Sequence, residues 1–470
     1  MNDKKRLLKY LSVDLLSAFL AWQLFNIFRF YVFHNTTGFS DLTNFLFYPK
    51  AVWISVTVPV FWVIIYYFSG YYTQPRRKTN LGDILNTAVS TLIGVLAIFF
   101  AIVIDDYPES PELYYDIALG FYFIHFICTW LFRFALTGPL IVKQSKGQYN
   151  VPVLIIGTGE SARKLLGEFN YHRSNFAYQL KGFVRAENES DQLPKEEILG
   201  NLEDIQSLIN EYKIEELIIA TDSKDMEETQ TLLDKLYICR LPIKSVATRS
   251  DIISGSVSLI SLFGLPLKNL TPAGMSAWQY NVKSAFDRII SLIVMILLSP
   301  LYLYLALRVR KDSPGKIFFL QERVGKGGKI FKMYKFRTMY ENSEPDGPKL
   351  SCKNDSRVTP YGRVMRKYRL DELPQFYNVL IGDMSLVGPR PERQYFVDQI
   401  VEKAPHYYLT QSVLPGITSW GMVRYGYANS VEKMFRRLEY DILYIENQSL
   451  LIDIKILIFT LLPLLKGKGV

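Results

Sequence analysis

At 470 residues the chain exceeds one ordinary domain and divides by length into about three. Its hydrophobic content of 49%, with 14% aromatic residues, is gathered into runs, which excludes a wholly soluble protein and marks an integral membrane protein. The net charge of +9 lies largely beside those runs, as membrane topology, anionic lipids and phosphorylated substrates require, so nucleic acid is not an expected partner.

Four apolar segments open the chain, at Leu7 to Phe33, Ala51 to Phe68, Leu85 to Ile104 and Ile117 to Leu136, each near the ~20 residues a bilayer needs. The first is too long, and lacks the small-residue site, for a cleaved signal peptide. Lys4, Lys5, Arg6 and Lys9 precede the first span, Arg76, Arg77 and Lys78 follow the second, and Lys143 and Lys146 follow the fourth. The loop Asp105-Asp106-Tyr107-Pro108-Glu109 carries acids only, so both ends of the bundle are expected on the cytoplasmic side. Asp14, Arg29 and Arg133 stand near span ends, where anchoring by snorkelling is expected rather than a transport pathway. We assign residues 1–148 to this four-span transmembrane bundle.

Composition turns to that of an α/β unit at Tyr149, and residues 149–270 are read as a Rossmann-like domain. The strand-like run Val151 to Ile156 ends in Gly157-Thr158-Gly159-Glu160-Ser161-Ala162, with Ala162 at the third glycine position of a phosphate-cradling turn. The acid expected at the end of the next strand is replaced by Arg185, and no Tyr-x-x-x-Lys pair occurs between Val151 and Tyr280. The catalytic groups of an NAD-dependent nucleotide-sugar dehydratase or epimerase, the alternative enzyme reading, are therefore missing. Cys128, Cys239 and Cys352 show no paired spacing, and only four histidines are present, so disulfide, zinc and His-based chemistry have little material.

The remaining residues, 271–470, carry the chemistry. A fifth apolar run, Ile289 to Leu307, has Lys283 and Arg288 before it and Arg308, Arg310 and Lys311 after it, with Ser299-Pro300 near its middle. Proline breaks a helix there, and bases on both sides favour one membrane face, so residues 284–310 are expected to form a re-entrant helix-break-helix. Ten Lys or Arg against two acids follow between Arg308 and Arg337, and strand alternation would set Lys335 and Arg337 on one face to hold phosphate oxygens. The adjacent carboxylates Asp371 and Glu372 follow, then Arg390 between two prolines. The tail Leu450 to Leu465 reads as an interfacial amphipathic helix.

The series Lys335-Phe-Arg337-Thr-Met, Arg366, Leu370-Asp371-Glu372-Leu-Pro-Gln375, Gly388-Pro389-Arg390-Pro391 and Pro415-Gly416-Ile417-Thr418 resembles the bacterial sugar transferases, the polyprenyl-phosphate phosphoglycosyl transferases of monotopic type. The preceding spans and Rossmann-like domain resemble the family's long form, which starts exopolysaccharide, capsule or O-antigen synthesis. The implied fold is a membrane α-helical bundle, an α/β Rossmann-like domain and a helix-rich α/β monotopic catalytic domain with a re-entrant membrane helix. The implied reaction moves a sugar-1-phosphate from a nucleoside diphosphate sugar, such as a UDP-sugar, to polyprenyl (undecaprenyl) phosphate at the cytoplasmic face of the bacterial inner membrane. By the same resemblance Asp371 is the nucleophile, Glu372 holds the metal or manages protons, and Mg²⁺ bound by Asp371 and Glu372 is the cofactor. Lys335, Arg337, Arg366 and Arg390 are the expected phosphate contacts. After Trp420 the chain departs from the common family pattern, so Arg424 and Tyr427 are weaker sugar or nucleotide contacts, and a homo-oligomer is left open.

Overall fold

We describe a computed structural model. It describes residues 3–32, 41–73, 80–103, 112–145, 151–171, 178–187, 189–223, 225–253, 257, 266–272, 274–341, 343, 347, 355–426 and 430–465. The chain forms two compact units. The first comprises residues 1–151 with 169–179 and 276–281, and the second the remainder.

Four helices of the first unit are long and apolar enough to cross a membrane: α1 (Asp3–Val32), α2 (Pro49–Phe68), α3 (Asn80–Ile98) and α4 (Glu112–Ser145). Each begins two to five residues before the apolar run seen in the sequence, because a helix continues through polar turns that satisfy its end groups in water. Their shared core is aromatic, with Trp22, Phe25, Trp62 and Phe121 buried together. The expected snorkelling of Asp14 and Arg133 is not what the structure has. Both are buried, with Arg133 Nε 2.8 Å from Asp14 Oδ1 and Nη2 3.0 Å from Oδ2. Tyr72 donates to Asp14 at 2.7 Å, Arg133 donates to Thr87 at 2.8 Å, and the guanidinium lies over the rings of Tyr71 and Tyr66. These positions are near span ends in sequence, but the helix faces they occupy point inward, where a charge needs a partner.

Lying mostly in the second unit, β1 (Val151–Ile156), α5 (Glu160–Tyr171), β2 (Tyr178–Arg185), β3 (Ile198–Asn201), β4 (Glu216–Ile219), β5 (Ile243–Val246) and β6 (Leu267–Asn269) contribute a six-stranded sheet with its helices. The strand order is β3-β2-β1-β4-β5-β6. β1 and β4, β4 and β5, and β2 and β3 pair in parallel, whereas β6 is antiparallel to β5. Leu154, Ile155 and Ile156 of β1 and Leu217 and Ile218 of β4 are fully buried, which explains their continuous apolar run.

The next helices, α6 (Ala277–Leu297) and α7 (Ser299–Asp312), are bent by 65° across a break at Leu298. Pro300, in the first turn of α7, can take no part in continuing α6 but costs nothing at a helix start. An antiparallel hairpin follows, β7 (Phe318–Val324) with β8 (Ile330–Phe336). Then come α8 (Pro360–Lys367), a short turn Leu370–Glu372, α9 (Gln375–Ile381) and β9 (Ser385–Val387). β10 (Gly416–Thr418) pairs with β9 in parallel, and α10 (Trp420–Arg424), α11 (Val431–Glu446) and α12 (Leu450–Leu465) close the chain. Gly388 and Gly416 are required where β9 and β10 meet, because a Cβ on either would collide with the backbone of the other's loop.

The tail helix differs from a purely interfacial one. Asp453 and Ile456 are buried in the core, while Leu451, Ile454, Ile458 and Phe459 remain exposed on its other side. Lys283 of α6 donates to Asp453 at 2.6 Å and to the Val387 carbonyl at 3.0 Å, and Tyr444 also donates to Asp453. Buried polar contacts thus pin α6 and α12 to the end of β9, directly before Gly388-Pro389-Arg390-Pro391.

Candidate active site

The site is assembled on the Leu370–Glu372 turn. Leu370 and Leu373 pack against Leu305, Val309, Phe336 and Met365, so the broken helix pair and the hairpin support the turn from beneath. Tyr302 of α7 donates to the Leu373 carbonyl at 2.6 Å. Asn378 of α9 accepts from the Tyr334 amide at 3.0 Å and donates to the Lys332 carbonyl at 2.8 Å. That pair of bonds locks α9 to β8, and the register places Lys335 beside the acids.

Asp371 and Glu372 are adjacent and buried, but their surroundings separate them. Glu372 Oε1 is 2.9 Å from Arg390 Nη2 and 3.2 Å from Lys335 Nζ, and its Oε2 is 3.5 Å from Arg369 Nη1. Burial opposes its charge, yet Arg390, Lys335 and Arg369 together hold the Glu372 carboxyl far below the usual range. Burial pushes the Asp371 carboxyl up, and the neighbouring Glu372 charge adds to the rise, while Lys335 and Arg366 draw it down from a distance. The two carboxyls are thus driven apart: Glu372 is held as a fixed anion, and Asp371 is the more basic of the pair.

Of the expected phosphate contacts, Lys335 and Arg390 meet at Glu372. Arg366 sits on α8 with Nε donating to Thr338 at 2.9 Å, close enough to act on Asp371 electrostatically. Arg337 is a correction to the sequence reading. It stands one residue beyond β8, and its buried guanidinium donates to the carbonyls of Ser313 at 2.6 Å and Pro314 at 2.8 Å. Strand alternation would have faced it beside Lys335, but the strand ends first and the end of α7 claims it. Arg424 is exposed over the Trp420 ring at 5.6 Å, and among the described residues no hydrogen bond or ion pair joins it to the acids. Its neighbour Met422 does reach the site, with Sδ 3.4 Å from Arg390 Nη1. Tyr427 lies outside the described residues.

Sequence reasoning missed Arg369, although its place three residues before Glu372 is the spacing that brings side chains together on one helical turn. It also missed the support of Arg390. Glu392, two residues on, is buried between Arg323 at 3.1 Å and Arg437 at 2.5 Å, and Arg323 donates to the Pro391 carbonyl. Arg437 neighbours Asp441, which accepts from the Gly421 amide at 3.0 Å and which burial pushes up to about 6. This chain of buried charges braces Arg390 against the turn that carries Met422, and no local pattern in the sequence marks it.

For a metal, the described residues bring together no group of three or more His, Cys, Asp or Glu. Two carboxylates do suit Mg²⁺, which commonly takes one or two protein carboxylates and completes its shell with water and substrate phosphates.

The glycine-rich loop after β1 is filled by the chain itself. The Thr158 amide donates to Glu189 at 2.8 Å, and the amides of Glu160 and Ser161 donate to Asp222 at 2.5 and 2.8 Å. A Cβ at Gly159 would strike the Asp222 carboxylate, so the space a pyrophosphate would take is held by two side-chain anions. At the end of β2, Arg185 is occupied by Asp191 at 2.6 Å and Asn201 at 2.9 Å.

Comparison with known proteins agrees with the catalytic unit. Residues 278–467 match the bacterial sugar transferase family. Over 242 residues the chain is 40% identical to the UDP-N-acetylgalactosamine-undecaprenyl-phosphate N-acetylgalactosaminephosphotransferase of Aeromonas hydrophila, covering 52% of this chain and 56% of that protein. It is 40% identical over 187 residues to a UDP-glucose:undecaprenyl-phosphate glucose-1-phosphate transferase of Caulobacter vibrioides, covering 39% of this chain and 69% of that protein. It is also 36% identical over 198 residues to an exopolysaccharide production protein of Rhizobium leguminosarum, covering 40% of this chain and 98% of that protein. The chain belongs to the bacterial sugar transferase family. Its match spans little more than half the length of the Aeromonas relative.

Proposed function

We propose that the protein transfers a sugar-1-phosphate from a UDP-sugar to undecaprenyl phosphate through a covalent intermediate on Asp371, at the cytoplasmic face of the bacterial inner membrane. The observation that carries this reading is the buried Asp371-Glu372 pair, with its raised and lowered carboxyls and with Lys335, Arg369 and Arg390 around Glu372. The names of the relatives, which act on undecaprenyl phosphate and UDP-sugars, support the substrate classes.

In the first step an Asp371 carboxylate oxygen attacks the β-phosphorus. The bond from that phosphorus to the bridging oxygen breaks, and UMP leaves with the electron pair. In the second, an oxygen of the lipid phosphate attacks the same phosphorus, the Asp371–phosphorus bond breaks, and the carboxylate is restored. One anhydride replaces another, so no further energy source is required. An anion attacking an anion meets a high barrier, and the cations clustered around Glu372 are oriented before the substrate arrives. Asp371 and Glu372 would hold Mg²⁺, which supplies charge neutralisation on the diphosphate when bound.

The middle sheet, whose order follows the doubly wound pattern, is read as a Rossmann-like domain in which Asp222 and Glu189 replace a bound dinucleotide. One assay separates this from a dehydratase. Purified protein given UDP-N-acetylgalactosamine or UDP-glucose should release UMP only with undecaprenyl phosphate in sustained turnover, unaffected by NAD⁺. Donor alone should leave a sugar-phosphate adduct on the protein by intact mass. An NAD⁺-dependent keto-sugar product, or UMP release without any adduct, would overturn the proposal.

The bent pair α6–α7 is read as re-entrant, entering and leaving at the face where Arg288, Arg308, Arg310 and Lys311 stand. Single cysteines at positions 282 and 316, in a variant lacking the native ones, are expected to react with an impermeant thiol reagent from the same side. Labelling from opposite sides would make the pair a kinked span.

A further inference from the structure

Arg369 is the one residue of the cluster held in a left-handed backbone conformation, with φ 53° and ψ 27°. Glycine takes this conformation freely, whereas a side chain with a Cβ takes it at a cost. Strain of this kind at a site needs a reason. Of the three cations on Glu372, Arg369 makes the longest contact, 3.5 Å against 2.9 and 3.2 Å. It meets Oε2, while Lys335 and Arg390 share Oε1. Its side chain is 27% exposed, against 14% for Lys335 and 8% for Arg390. Lys335 and Arg390 are thus the fixed counter-charges, and Arg369 is the one that water and an incoming anion reach first. Glu372 keeps the closer Lys335 and Arg390 when Arg369 turns away, so the 3.5 Å pair is the one this carboxylate can best give up. A diphosphate offers it two parallel, charge-assisted hydrogen bonds in return.

We propose that Arg369 is a donor-binding residue: it turns from Glu372 to the diphosphate of the UDP-sugar, leaving Glu372 held by Lys335 and Arg390 alone. This inference rests on the transfer reading and names a substrate contact within it. Arg369 is distinct from Arg366, whose Nε donates to the Thr338 hydroxyl at 2.9 Å.

Arg369→Gly tests it, because the substitution removes the side chain at a backbone position that glycine prefers. The full-length variant in detergent is expected to melt at or above the wild-type temperature. Its KM for UDP-N-acetylgalactosamine or UDP-glucose, whichever the wild type turns over faster, should rise about tenfold or more. The KM for undecaprenyl phosphate should be unchanged, and Arg369→Lys should recover part of the loss. A purely structural residue would instead give a lowered melting temperature with no selective rise in donor KM. An unchanged donor KM in Arg369→Gly, with the wild type active, overturns the inference and leaves the transfer reading standing. A wild type that turns over neither donor removes both.

Discussion

Asp371→Asn is expected to lower turnover by at least about 10³-fold and to abolish the sugar-phosphate adduct, since an amide oxygen is a poor nucleophile and cannot form the acyl phosphate. The protein should nevertheless fold. Burial and the Glu372 charge both oppose ionisation of Asp371, so its carboxyl is raised in the folded state relative to the unfolded one. A group with a raised folded value stabilises the fold below its unfolded pKa and loses that contribution as pH rises through the folded value. At neutral pH a neutral asparagine therefore removes a like-charge repulsion, and the melting temperature of Asp371→Asn should equal or exceed that of the wild type. Activity falls while stability does not, the signature of a reactive group held at a cost to the fold. Transfer at the wild-type rate by Asp371→Asn would sink the nucleophile assignment, and a large drop in melting temperature would make Asp371 a structural residue.

Arg133→Met should destabilise the helical bundle by about 3–5 kcal/mol, because it leaves the Asp14 carboxylate buried without its bidentate partner. The loss should exceed that at Arg29, a half-buried arginine of α1 whose cation lies 5.9 Å from the Phe45 ring. The companion variant Asp14→Leu/Arg133→Met removes both charges and fills the space with apolar atoms. It is expected to regain at least half of the loss, since replacing a buried pair by hydrophobic residues is often neutral or favourable. Thermal melts of the full-length variants in detergent give both numbers. If the double variant is as unstable as the two single losses added together, the pair is not coupled and Arg133 acts through its stacking on Tyr66 and Tyr71 instead.

The apolar runs were legible because membrane-length hydrophobicity is a local property, and the helices fall where the runs predict, each starting a few residues earlier in a polar turn. The buried strands at Val151–Ile156 and Glu216–Ile219 were legible for the same reason. So was a helix break beside Ser299-Pro300: it falls one residue earlier, at Leu298, and Pro300 stands in the first turn of α7, where its missing donor costs nothing. Arg337 misled because alternation says which face a strand residue takes only while the strand lasts. Asp14 and Arg133 misled because distance along a helix does not say which side of it faces a neighbour. The Glu392–Arg437–Asp441 brace was illegible, since its members meet only after residues far apart in the chain have packed.

By itself, the sequence determined that the chain has four membrane-length helices, an α/β middle region and a basic, acid-paired region resembling one enzyme family. Each of these follows from interactions within a few residues or from a contiguous motif. Only the tertiary structure decided which cation faces which carboxylate. It set Arg369, Lys335 and Arg390 on Glu372, sent Arg337 to the end of α7, closed the glycine-rich loop with Asp222 and Glu189, and buried Asp14 against Arg133. The physical reason is that a charge acts through space at a few ångströms, and chain order does not specify those distances.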